Sequence, residues 1–174
     1  MKYAIALKAL SLILVISTSI SAYAQEEVKP NSTDVEVINT AELANIKCIT
    51  PPTGFDTLEG LNGYYHKTIG ASMIISLVEG STVADAEAAF NEEHIARIKS
   101  TLISKSTMKL TDGNDMLVFK LTYEFQGETW GRYHAFVGDE KETVWVVISY
   151  PGKYSDDVEG VLLQSLKSLK FDQR

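Results

Sequence analysis

Hydrophobic and polar positions change period several times along this chain, and each change marks an element. Residues 64–68 and 71–79, "YYHKT" and "ASMIISLVE", are rich in β-branched and aromatic residues. Gly70 lies between them and Gly80 follows, which predicts a β-hairpin. The next stretch, "STVADAEAAFNEEHIARIKSTLIS", changes to a helical period. At 100° per residue Val83, Ala84, Ala88, Phe90, Ile95, Ile98 and Leu102 share one stripe, with Glu92, Glu93, Arg97 and Lys99 opposite. Thr82 is the expected N-cap, and Asp85 and Glu87 fall in the early turns, facing the positive helix end. A single helix reaching past Leu102 is therefore predicted.

Period two then returns. "TMKLTDG", "DMLVFKLTYEF", "TWGRYHAFVGD" and "TVWVVISY" read as four strands joined by the short links "DGN", "QGE" and "DEKE". Links of that length make consecutive strands antiparallel. Pro151 and Gly152 end the last strand. Ser155 is the expected cap of a closing helix whose apolar face is Val158, Val161, Leu162, Leu166 and Leu169. Upstream, Pro51, Pro52 and Gly54 mark a turn between extended segments, with Cys48 in the first of them. The order predicts an α+β domain, an antiparallel sheet flanked by helices, over residues 45–174.

The register of the meander decides what "TWGRYHAFVG" means. In 115–125 the odd positions Leu117, Phe119, Leu121, Tyr123 and Phe125 are all apolar. A three-residue link through Gln126, Gly127 and Glu128 would set Gly131, Tyr133, Ala135 and Val137 beside them. A two-residue turn would put Arg132 and His134 there instead, and burying an unpartnered Arg costs several kcal/mol, on the order of a buried unpaired charge. The three-residue link is the expected one. In the following hairpin, pairing Asp139 with Glu142 sets Phe136 opposite Trp145 and His134 opposite Val147.

Composition narrows the setting. Lys2 and Lys8 border an apolar run that ends in Ala22-Tyr23-Ala24, the form of a cleaved export signal over residues 1–24. The run is shorter than the roughly 20 residues of a bilayer span, so no lasting membrane insertion is expected. Residues 25–44 are polar and mixed, and read as a tether; "NST" at Asn31 is a formal glycosylation acceptor. Sixteen Lys and Arg against 23 Asp and Glu give −7, and loss of Lys2 and Lys8 makes the exported chain more acidic still. Nucleic acid, which needs a clustered basic face, is excluded as a partner. A periplasmic or secreted location follows.

Candidate chemistry is sparse. Cys48 is the one cysteine; it has no helix N-terminus near it to activate it, and no disulfide framework exists. His66, His94 and His134 lie on three separate elements with no ligand spacing between them, so no metal or cofactor is expected. There is no G-x-S-x-G and no phosphate loop. Asp112 with Asp115, and Asp139, Glu140 and Glu142, read as solvated hairpin tips. What remains is the cluster Trp130, Arg132, His134 and Phe136, with Trp145 opposite. It reads either as a half-covered sheet face or as an aromatic groove with polar contacts, a combination that suits protein interfaces. Tyr64, Tyr65 and His66 are secondary candidates.

"PPTGF" entering a hairpin, a helix after "VEGSTVADAEAAF", the meander, and the ending "YPGKYSDDVEGVLLQSLKSLKF" together resemble the PsbP-like superfamily over residues 46–171. That group includes photosystem accessory proteins, Ran-binding Mog-type factors and small exported bacterial proteins of the DcrB kind. The resemblance implies an α/β/α sandwich around an antiparallel sheet and members that act mostly by binding other proteins. It implies no catalytic set that could be carried onto residues here. The expected function is thus an exported, non-catalytic binding or accessory protein with a protein partner in the cell envelope. A small-ligand binder or weak hydrolase with a pocket between helix and sheet is the alternative, and an inhibitor or immunity-type protein a third.

Overall fold

The computed structural model describes residues 46–58 and 60–171. The leader, the tether and the acceptor pattern at Asn31 lie outside them. The strands are β1 (Ile46–Cys48), β2 (Asp56–Thr57), β3 (Gly63–His66), β4 (Ala71–Glu79), β5 (Ser100–Lys109), β6 (Asp115–Phe125), β7 (Glu128–Gly138), β8 (Glu142–Pro151) and β9 (Lys170–Phe171). The helices are α1 (Val83–Ala89), α2 (Glu92–Arg97) and α3 (Ser155–Lys167), the last preceded by a 3-10 turn over Gly152–Tyr154. Strands β2 to β8 form one antiparallel sheet in the order β2-β3-β4-β8-β7-β6-β5, and β1 pairs with β9 in a separate ribbon. The expected fold class, an antiparallel sheet with helices on both faces, is the one observed.

Three local expectations are corrected. The long helix is two short ones. Asn91 accepts a hydrogen bond from the His94 amide and starts α2 afresh. Lys99 then turns left-handed (φ 52°) and ends the helical path. Residues 100–103, expected in the helix, begin strand β5, so Leu102 leaves the apolar stripe and is 41% exposed. The Thr82 cap does hold: its hydroxyl accepts from Asp85 N–H at 3.1 Å, and the Asp85 carboxylate accepts from Thr82 N–H at 3.0 Å. In α3, by contrast, Ser155 is the first helical residue, and the cap position is Tyr154, with no side-chain bond.

The third correction is the register. Phe125 pairs with Glu128, Tyr123 with Trp130, Leu121 with Arg132, Phe119 with His134 and Leu117 with Phe136. The β6–β7 link is therefore the two-residue turn Gln126-Gly127, with φ of 52° and 78°, the doubly left-handed form whose twist suits a tight hairpin. Arg132 and His134 lie on the apolar face after all. The β7–β8 register is as expected, with Phe136 opposite Trp145 and His134 opposite Val147.

Each sheet face has its own cover. On one, α3 lays Val158, Leu162 and Leu166, followed by Leu169, over Met73, Ile75, Met116, Val118, Tyr133, Ala135, Val144, Val146, Ile148 and Tyr150. Gly131 is required there: a Cβ would lie 2.3 Å from the Tyr150 ring, which crosses it. Glu159 of α3 accepts from Lys120 Nζ at 2.6 Å, from the Tyr133 hydroxyl and from the Tyr150 hydroxyl at 3.1 Å. On the other face, α1 and α2 bring Phe90, His94 and Ile95 down on Phe119, His134 and Phe136.

Candidate functional site

Strand pairing sorts the candidate residues into rows on the α1–α2 face. Ser76, Trp145, Phe136 and Leu117 form one row, and Ile74, Val147, His134 and Phe119 the next. The third row runs Tyr65, Ser72, Ser149, Arg132 and Leu121, and the fourth holds Pro151, Trp130 and Tyr123. Alternation puts Phe125 beyond them, at the hairpin end. The short helices cover the first two rows. They leave the end nearest the β6–β7 turn less covered.

The covered rows form an aromatic core. Phe90 stands 4.6 Å from the His134 ring centroid, 4.8 Å from His94, 5.0 Å from Phe119 and 5.7 Å from Phe136. Trp145 stacks on Phe136 at 5.7 Å and on His134 at 5.5 Å. Its indole N–H donates to His134 Nδ1 at 3.1 Å, which leaves the ring proton on Nε2. That Nε2 is buried without a partner. Burial, then the positive charge of Arg132 and the neighbouring His94, hold the His134 imidazole well below the usual histidine range. Burial and Arg97, whose guanidinium donates to Nδ1 at 3.1 Å, lower His94 as well. His134, Phe136 and Trp145 are thus core of this face, closed beneath Phe90, and offer no contact surface.

The less covered end has a different character. Arg132 is 7% exposed, and its guanidinium carbon lies 3.9 Å from the Tyr123 ring centroid. Its Nε donates to Ser149 Oγ at 3.3 Å. Among the described residues no carboxylate forms an ion pair with it. This is how the fold carries an arginine whose unpartnered burial would be costly: a π face and a hydroxyl hold it. Trp130 packs 6.1 Å from Tyr123 and edge-on to Phe125 at 5.6 Å. All three rings are half-buried, as is Ser149. The Tyr123 hydroxyl is buried with no partner.

Of the expected contact residues, the structure brings Trp130 and Arg132 together at this end. Tyr65 is half-buried and lies along the Arg132 row, three strands away. Tyr64 and His66 point to the α3 side, paired with Met73 and Ala71. His66 packs edge-on to Phe55 at 5.2 Å and its Nδ1 is buried without a partner. His94 and His134 both pack against Phe90; His66 is on the opposite face from both. Among the described residues no group of three or more His, Cys, Asp or Glu is placed to hold a metal ion. Of the hairpin-tip acids, Asp139 accepts from the Lys141 and Glu142 amides of its own turn, Asp112 from the Asn114 amide of its turn and the Phe171 amide of β9, and Asp115 from Lys109 Nζ. Sequence reasoning missed Tyr123, Phe125 and Ser149. The signal was available in the odd-numbered apolar run of β6, which outlasts the length any short helix can cover.

No family model and no curated protein matches the chain. Among solved structures it is similar to LpqN of Mycobacterium tuberculosis, described as involved in cell envelope biogenesis, with TM-score 0.55 and 8% identity, over 72% of this chain and 83% of that one. That likeness shows a shared fold. Lower scores relate it to the solution structure of cyanobacterial PsbP from Synechocystis sp. PCC 6803 (TM-score 0.47, 12% identity, 70% and 84% covered). A Pseudomonas aeruginosa protein of unknown function, a putative regulator, gives 0.48 at 14% identity, over 60% and 74%.

Proposed function

We propose that this chain is an exported, non-catalytic binding or accessory protein that works through protein–protein contacts in the cell envelope, periplasmic where the host has two membranes. The carrying observation is the end of the α1–α2 face, where Tyr123, Phe125 and Trp130 stand half-buried around Arg132. Aromatic rings beside an arginine are the composition of interface anchors, because they bury much area with few rotors to fix. The compartment rests on the leader pattern of residues 1–24. In the described region no helix is long and apolar enough to cross a membrane, and LpqN, which shares the fold, belongs to envelope biogenesis.

The non-catalytic reading rests on where the ionisable groups point. His134 is enclosed, Glu159 is committed to three hydrogen bonds on the α3 side, and Asp139 and Asp112 accept from backbone amides. None converges on Arg132. A crosslinking pull-down from the native envelope fraction tests the proposal, comparing wild type with Phe125→Ala/Trp130→Ala. A partner recovered by wild type and lost by the double variant, both melting cooperatively, is the expected result. Equal recovery by both would move the contact elsewhere, and no partner for either would overturn the accessory role.

A further inference from the structure

Resting on the contact reading above, we infer that the partner segment presents an Asp or Glu side chain to Arg132 and lays a neighbouring apolar side chain on Trp130. Arg132 is held from two sides only: Ser149 at Nε and the Tyr123 ring against the guanidinium plane. The edge that carries its two terminal nitrogens makes no hydrogen bond to any described residue. The residue keeps 7% of its surface exposed. A nearly buried cation fixed by its stem and face, with its fork open, is arranged in advance for a planar acceptor that takes two parallel N–H bonds.

Neighbouring groups lack partners in the same way. The Ser149 hydroxyl accepts from Arg132, and its own hydrogen is uncommitted among the described residues. The Tyr123 hydroxyl, on the ring that Arg132 covers, is buried and unpaired. A ligand oxygen at the fork would have a guanidinium and a serine hydroxyl to meet.

Charge selects among anions. The chain carries −7, so a multiply charged phosphate meets more long-range repulsion than a single carboxylate does. Surroundings select a side chain over a chain end. The row runs from Arg132 through Ser149, Ser72 and Tyr65 on one side and to Leu121 on the other, and toward the hairpin end the next row holds Trp130, with Phe125 beyond it. A segment can therefore continue in both directions from the carboxylate, with polar groups one way and rings the other.

The test uses the ¹⁵N-labelled chain lacking residues 1–24, followed at the Arg132 Nε–H and Trp130 indole N–H signals. The probes are acetyl-Ala-Phe-Glu-Ala-amide, its Gln counterpart, its phosphoserine counterpart, and acetyl-Ala-Ala-Phe with a free terminal carboxylate. The Glu peptide is expected to shift both signals saturably and to bind about tenfold tighter than the Gln peptide, the scale of one charge-assisted hydrogen bond. Arg132→Lys, which keeps the charge and loses the fork, is expected to cut that ratio several-fold, whereas Trp130→Ala weakens both peptides alike. Equal affinity for Glu and Gln, tighter binding of the phosphoserine or free-terminus peptide, or no shift with any probe would overturn the inference. The Glu-to-Gln comparison is made on wild type, so it stands even where a variant fails to fold. A partner lost in the Phe125→Ala/Trp130→Ala pull-down alongside equal Glu and Gln binding would sink the carboxylate and leave the contact surface standing.

Discussion

Under α3 the sheet is sealed by a run of aliphatic side chains, Leu162, Leu166 and Leu169, each with no exposed surface, and pinned by Glu159 to two tyrosines and a lysine. Under α1 and α2 it is closed chiefly around one ring, Phe90, supported by His94 and Ile95. A thirteen-residue helix presents more than three turns to its face, whereas helices of seven and six residues make fewer than two turns each. The difference accounts for the site: cover that short cannot reach the hairpin end, so Trp130, Tyr123 and Phe125 are left half-open there. One face is a core, and the other is a core with a surface at its end.

The largest effect should come from removing the central ring. Phe90→Ala deletes contacts with His94, Phe119, His134 and Phe136 together, and a buried Phe→Ala costs about 3–5 kcal/mol. Leu162→Ala on the other face should cost about 2–5 kcal/mol. Urea unfolding gives both totals, and native-state hydrogen exchange separates them. Phe90→Ala is expected to lower protection in residues 82–98 ahead of the sheet, because one ring anchors that cover, while loss of Leu162 leaves Leu166 and Leu169 in place. Equal loss of protection across the sheet in both variants would erase the distinction between the faces.

Next comes the polar pin. Burial alone would raise the Glu159 pKa, but the hydrogen bonds from Lys120, Tyr133 and Tyr150 outweigh it and hold the carboxyl below its ordinary range. Burial, then Glu159, raises both tyrosines. Glu159→Gln keeps the shape and loses the charge, at about 1–3 kcal/mol for a partly buried charged acceptor. Being depressed in the fold, this carboxyl contributes stability that is present above its unfolded pKa and lost as pH falls through the folded one. The acid limb of the stability curve, below about pH 4.5, is expected to shrink in the variant.

The α1–α2 face responds to acid at higher pH. His134 and His94 are both lowered from 6.5, so below that value the unfolded chain takes up protons that the native one refuses. Stability is therefore complete above pH 6.5 and falls as pH drops through it, by up to about 1.4 kcal/mol per pH unit per histidine. Chemical denaturation at pH 7.5 and one and two units lower should show the slope, and His134→Gln should flatten it. An unchanged slope in that variant would assign the effect to other groups. The two faces thus fail in separate windows.

Much of this division was legible in the chain. The strand boundaries of β6 to β8, the Thr82 cap and the closing helix follow from period, turn residues and capping chemistry, which act locally. Two things did not. Periodicity carried the helix past Asn91 because the apolar stripe continues through Ile95 and Ile98, while the capping preference of Asn91 and the left-handed Lys99 work against it. The β6–β7 register turned on whether Arg132 could be buried, a question decided by Tyr123 and Ser149 on neighbouring strands and invisible to any single-strand pattern. The Gln126-Gly127 pair held the clue, since Gly at the second position suits the doubly left-handed turn. The candidate site depends on that register: the pattern alone groups Trp130 with Arg132 but sets their partners Tyr123 and Phe125 on the other face.

The smallest expected effect runs in the stabilising direction. Gly160 sits within α3, exposed, with nothing within 4 Å of where a Cβ would be placed. Glycine in a helix interior is worse than alanine by about 0.8–1.0 kcal/mol, through the backbone entropy of the unfolded chain. Gly160→Ala should therefore raise the melting temperature by a few degrees, read by calorimetry, while leaving the Arg132 and Trp130 signals unmoved. The change strengthens a cover that is already complete, on the face away from the proposed contact. A gain in stability accompanied by altered signals at Trp130 would mean that the two faces communicate through the sheet, and the open end could no longer be treated as a surface independent of the α3 core.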